Sequence, residues 1–173
     1  MKAVYVILTV VVAIVLQTTL ARYMVGGRWV FDLVLVGVVY AAVYWGPAAG
    51  MWAGTIGGMM QDLLSAEILG IGGFGKTISG FFAGVLSAQF IVTRPIPRML
   101  VVAGATVVHR LIVIVLYGLI DQEWPRAPWG AILGETGANA VLGLMAFQAT
   151  EALPGAISRN RMNRRTRWGR RTW

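Results

Sequence analysis

The sequence predicts an all-α integral membrane fold, a bundle of six transmembrane helices, and three observations carry that expectation. The chain of 173 residues is 57% hydrophobic and only 13% charged, about half the charged share of a soluble domain. Its mean hydropathy is +0.70. Its apolar residues gather into six segments which, at roughly 20 residues per span, use up the chain and leave no room for a separate soluble domain of ordinary size. The expected organisation is one transmembrane domain over residues 1–157 and an arginine-rich cytoplasmic tail over 158–173.

The first helix is expected over residues 3–21. Lys2 ahead of AVYVILTVVVAIVLQTTLA, with Thr19 and Ala21 near its end, imitates a secretory signal, but a run of this length suits a full span and is read as uncleaved. The second and third helices, 30–46 and 48–64, are short and need local thinning or burial. Only Trp45-Gly46-Pro47 separates them, a tight turn in which proline ends one helix and opens the next. The fourth, 77–93, is divided from the fifth, 99–120, by RPIPR, where two prolines interrupt the helix and two arginines mark a membrane surface. The sixth, 131–151, follows DQEWPRAPW, whose tryptophans suit the headgroup level.

Basic residues favour the cytoplasmic side, and they orient this bundle with both termini inside. Lys2, Arg94, Arg98 and the tail arginines 159, 161, 164, 165, 167, 170 and 171 then face the cytoplasm, against Arg22, Arg28, Lys76 and Arg126 outside. The tail supplies most of the net charge of +8. It suits a topology anchor on anionic lipid, with Trp168 and Trp173 at the interface, or docking to an acidic cytoplasmic protein. No recognisable nucleic-acid module surrounds it, and no nucleic-acid partner is expected.

Several chemistries are excluded or disfavoured. There is no cysteine, hence no disulfide, thiol nucleophile or cysteine-ligated metal. The single histidine, His109, has no ligand spacing around it. No GxSxG elbow, paired-aspartate motif or histidine adjacent to a carboxylate offers a nucleophile and base. No catalytic residue, cofactor or metal is expected.

GIGGFGKT, residues 70–77, matches the letters of a phosphate-cradling loop. A true one needs a buried strand before it, a magnesium-binding acid on a second strand and access to cytosolic nucleotide. Here an apolar helix ending in QDLLSAEIL precedes it, and the charge count places it outside. It is read instead as a tight outer turn, with Lys76 reaching the headgroups or neutralising Asp62 or Glu67. The glycines around it have a wider purpose: eleven of the twenty-two lie between Gly46 and Gly84. Gly50, Gly54 and Gly58, then Gly80 and Gly84, recur every four residues, lining one face of each helix for close backbone packing in lipid.

Ionisable groups within spans cost a few kcal/mol each by insertion scales unless they find partners. Asp32 opens the second helix, and Asp62 lies on the small-residue face of the third near the same outer level. His109 and Arg110 lie about 16 Å along the fifth helix. Glu135 and Asn139 share one face of the sixth at comparable depth. A buried contact from Arg110 to Glu135 or Asn139 is expected, either holding the two helices together or serving a polar pocket or a partner contact.

The stretch FDLVLVGVVYAAVYWGPAAGMWAGTIGGMMQDLLSAEILGIGGFGKTISGFFAGVL, residues 31–86, resembles the rod shape-determining protein MreD family. The likeness rests on the aspartate opening the second helix, the GP turn, the glycine-rich third helix ending in Asp-Leu-Leu-Ser, and the LG…K segment before a small-residue fourth helix. Asp32, Pro47, Asp62, Ser65, Gly70 and Lys76 are the positions it carries over. The resemblance implies a non-enzymatic, multi-pass component of the bacterial inner membrane. It implies direct association with the bitopic MreC, and through it with MreB, RodA and its transpeptidase, which build lateral peptidoglycan. The family is similar in fold to substrate-binding subunits of energy-coupling-factor vitamin transporters, which supplies an alternative function. Ala3, Ala13 and Ala21 do not make the four-residue alanine pattern usual in the first helix of those subunits.

Overall fold

A computed structural model of the chain describes residues 2–21, 31–66, 68–90, 94–121 and 129–168, with 153–168 as backbone only. Arg170 and Arg171 therefore lie outside the described residues, as do the side chains of Arg159, Arg161, Arg164, Arg165 and Arg167. The described residues form six helices: α1 (Lys2–Ala21), α2 (Leu33–Trp45), α3 (Pro47–Ser65), α4 (Ile71–Gln89), α5 (Pro95–Asp121) and α6 (Trp129–Trp168).

Several boundaries differ from the sequence expectation: α2 begins at Leu33 and not at 30, because Asp32 caps it, and α4 ends at Gln89 and not at 93. Helix α4 begins at Ile71 and not at 77, so most of GIGGFGKT is helical, and the tight turn narrows to the residues before it. Helix α5 begins at Pro95, because both prolines of RPIPR fall in a first turn whose N–H groups have no intrahelical partner. Helix α6 continues to Trp168, so the backbone of the basic segment prolongs the last helix.

Ala3–Leu20, Pro95–Ile120 and Trp129–Ala152 are long and apolar enough to cross a membrane. The 13 residues of α2 reach only about 20 Å, short of a hydrocarbon core of about 30 Å. Helices α3 and α4, at 19 residues each, have the length, but glycine and buried charge dilute their apolar character.

Short and apolar all round, α2 is the central post of the bundle and touches each of the other five helices. Val34, Leu35, Val38, Val39, Ala41 and Ala42 are all buried, as a helix without a polar face must be. Around it α1 packs on α3, α3 on α4, α4 on α5 and α5 on α6; α1 and α6 do not meet among the described residues. Val6, Val10 and Ile14 of α1 meet Val34, Val38 and Ala53 on one side. Val36, Val39 and Ala42 meet Ala83, Val102, Ala105 and Phe147 on the other.

The expected glycine seam forms between α3 and α4. A Cβ added at Gly50 would overlap the backbone of Gly80, at Gly54 that of Lys76 and Thr77, at Gly58 that of Gly72 and Gly73, and at Gly84 that of Pro47. The two helices run antiparallel with their backbones in contact along nearly their whole length. Pro47, the first residue of α3, anchors one end of the seam, and Thr55 and Thr77 exchange a hydroxyl hydrogen bond of 2.8 Å in the middle. Toward the opposite end of α2, Arg98 pairs with Glu151 and lies 5.1 Å over the Phe147 ring. Phe147 in turn packs against Tyr40 and Tyr44.

Candidate functional site

The polar residues converge where α2 begins. A helix N-terminus leaves N–H donors without intrahelical partners, and here that end is buried among the other helices, where an unmet donor costs about 1–3 kcal/mol. The cap residue and side chains from two other helices meet the demand. Asp32, extended at φ −123, caps α2 through its Oδ1, which accepts from the Leu35 amide at 2.9 Å. Gln17 of α1 accepts from the Val34 amide at 3.0 Å, and Asn139 of α6 accepts from the Asp32 amide at 2.8 Å. Asn139 then donates to Thr106 of α5 at 3.3 Å. Asn139 and Thr106 are fully buried and Gln17 nearly so.

The other carboxylate oxygen of Asp32 takes an ion pair. Lys76 Nζ lies 2.7 Å from Asp32 Oδ2, both side chains being almost wholly buried. This overturns the expectation that Lys76 reaches headgroups or neutralises Asp62 or Glu67. Because α4 starts at Ile71, Lys76 sits in the second turn of a helix whose glycines hold it against α3, and its side chain enters the bundle. Lys76 is therefore not a surface charge, and it drops out of the charge count from which the orientation was expected.

His109 completes the cluster. Its Nε2 is 3.4 Å from Lys76 Nζ and 3.9 Å from Asp32 Oδ2, so the fold brings together a histidine and a carboxylate far apart in sequence. A nitrogen facing an ammonium serves as acceptor, from which the ring hydrogen is inferred to lie on Nδ1. Nδ1 is buried with no hydrogen-bond partner among the described residues, pressed against Gly75, where a Cβ would come within 2.7 Å of it.

Two further acids flank this centre. Arg110 Nε meets Glu135 Oε2 at 2.6 Å, one of the two expected contacts; Glu135 is buried and Arg110 is about one-third exposed. Asn139, the other expected partner, is turned to α2 instead. Asp62, near the end of α3, is buried, and its Oδ2 accepts from the amides of Gly70 at 2.9 Å and Gly73 at 3.1 Å. Gly70 takes φ +98 at the head of α4, a conformation open to glycine at no steric cost. GIGGFGKT thus does cradle an anion at a helix N-terminus, and that anion is the chain's own carboxylate.

Between these groups lies a cavity of about 60 Å³ whose lining includes Gln17, Asp32, Gln61, Asp62, Lys76 and Arg110, large enough for ordered water. Ser65, the last residue of α3, is exposed to solvent or lipid at its rim. Asp32, Asp62, Ser65, Lys76 and Arg110 of the expected set therefore line one cavity, joined by His109, whereas Glu135 and Asn139 are not part of its lining. Among the described residues no group of three or more His, Asp or Glu side chains could hold a metal. Sequence reasoning missed Gln17 and Thr106 as functional partners; a lone glutamine in an otherwise apolar span was the available clue.

A family model described as rod shape-determining protein MreD matches residues 1–124, from the start of α1 to just past α5. No curated protein and no solved structure matches the chain.

Proposed function

The chain belongs to the rod shape-determining protein MreD family, and from that membership we propose that it serves rod-shape determination as a non-enzymatic scaffold of the bacterial inner membrane. In this reading all six helices lie in the bilayer with both termini cytoplasmic, and the chain binds MreC directly. Through MreC it engages MreB, RodA and its transpeptidase, and its basic tail lies against anionic lipid. The observation that carries the reading is the family match across five of the six helices.

The buried polar network supports a scaffold role, because the side chains of α1, α2, α4, α5 and α6 are tied to one another by specific hydrogen bonds. Such a network fixes helix register in lipid, where apolar packing alone discriminates poorly. Exposed small residues supply a surface for a partner's helix: Gly130, Gly134 and Gly137 of α6 have nothing near the position of an added Cβ. The alternative, a vitamin-binding subunit of an energy-coupling-factor transporter, gains no support from the comparisons.

Co-purification in detergent with MreC from the same organism tests the proposal. Stoichiometric recovery of MreC at micromolar concentration is the expected result. Absence of any association, with the bundle shown to be folded, would refute the partner assignment.

A further inference from the structure

We propose that the cavity at the head of α2 is a binding site for a primary ammonium group, seated between Asp62 and Gln61 of α3. The inference does not depend on the partner reading above.

Charge is the first ground. The buried acids are Asp32, Asp62 and Glu135, and the cations facing them are Lys76 and Arg110. Lys76 is taken by Asp32 and Arg110 by Glu135, whereas Asp62 forms no ion pair among the described residues. Among the described residues the set is formally one positive charge short, and an uncompensated charge in a low-dielectric interior is expensive. The half-charge of the α4 N-terminus offsets only part of this.

Hydrogen bonding is the second. Gln61 Oε1 is buried and has no donor among the described residues, and Gln61 lines the same cavity as Asp62. A carboxylate and an unpartnered carbonyl lining one cavity call for a donor carrying positive charge. Ser65, one turn further along α3 and also at the cavity wall, can accept a further hydrogen bond.

Shape is the third. The volume of about 60 Å³ corresponds to about two waters' share of the liquid, which takes an ammonium with one or two methylenes but no trimethylammonium. Phe31, Ile71 and Val113 supply apolar wall for those methylenes. The bundle already accommodates one such group a few residues away, since Lys76 lays a primary ammonium on Asp32 with His109 as its second acceptor. The ligand chemistry is thus that of ethanolammonium, available as a free amine or as the head of an ethanolamine phospholipid.

The full chain in phosphatidylcholine nanodiscs, titrated with ethanolammonium chloride, tests this by calorimetry. Saturable binding is expected, with choline and sodium at equal concentration competing at least tenfold less well. Asp62→Asn keeps a carbonyl oxygen for the Gly70 and Gly73 amides but removes the charge, and it should weaken binding at least tenfold. Gln61→Leu, at a half-buried position that tolerates an apolar side chain, should weaken it about threefold to tenfold and remains informative if Asp62→Asn fails to fold. Repeating the titration in phosphatidylethanolamine nanodiscs separates the sources: a weakened apparent affinity assigns the site to the lipid head, and an unchanged one to the free amine. No saturable binding in phosphatidylcholine, equal competition by choline or sodium, or full affinity in folded Asp62→Asn or Gln61→Leu would each overturn the proposal.

Discussion

Removing the Lys76 ammonium should destabilise the bundle strongly, because it strands a buried carboxylate. In Lys76→Met the apolar stem is largely kept and the ion is lost, so the effect isolates the pair with Asp32. Breaking a buried pair by deleting one partner costs about 3–5 kcal/mol. Asp32 retains the Leu35 amide on its other oxygen and the adjoining cavity can admit water, which places the expected loss near the lower figure, about 3 kcal/mol. That is roughly a hundredfold in the ratio of folded to unfolded protein. Equilibrium unfolding in mixed micelles, followed by tryptophan fluorescence, measures it. Asp32→Asn should cost a comparable amount, because it strands Lys76, while Asn still caps α2. The double variant should be more stable than the sum of the two losses implies, by about 2 kcal/mol. A Lys76→Met chain within about 0.5 kcal/mol of the parent, an ordinary surface effect, or strict additivity in the double variant would refute the pairing.

Other expectations follow from the same network and seam. Gly54→Leu drives a side chain into the Lys76 backbone and should cost at least about 1–3 kcal/mol, read as loss of monodisperse protein on size-exclusion chromatography; Gly134→Leu, with open space around it, should elute as the parent does. Asn139→Leu leaves the Asp32 amide unmet and should lose about 1–3 kcal/mol by the same unfolding assay. Replacing Arg110 and Glu135 together by Met and Leu should come within about 1 kcal/mol of the parent, whereas Arg110→Met alone should lose more by stranding buried Glu135. Equilibrium dialysis should find no ATP binding by the parent chain and no change on Lys76→Ala, since the helix N-terminus at Gly70 is filled by Asp62.

The helices were legible in the sequence because apolar runs and their interruptions report directly on what lipid tolerates. The four-residue glycine spacing also foretold the α3–α4 seam, since in a helix that spacing has one geometric meaning. Arg110 and Glu135 were found from depth along neighbouring helices. Lys76 was misplaced for a physical reason: glycine is as common in tight turns as in close-packed helices, and only the partner helix decides which use it serves. With the start of α4 shifted, the lysine could not be aimed at Asp32. Asn139 was expected to serve Arg110, because nothing local reveals that α2 begins inside the bundle and needs an acceptor from the last helix. His109 carried no spacing to mark it, and its role depends wholly on what α4 and α2 present to it.

The acceptor that Asn139 provides to the head of α2 also has a bearing on how the chain is made. The two residues are 107 positions apart, so at about 5–20 residues per second the ribosome delivers Asn139 about 5–20 s after Asp32. Until then the Asp32 amide lacks the acceptor it has in the folded bundle, and a chain halted before α6 never gains it. The helix that brings Asn139 thus certifies α2, which gives membrane quality control a concrete difference between a chain that has made α6 and one that has not.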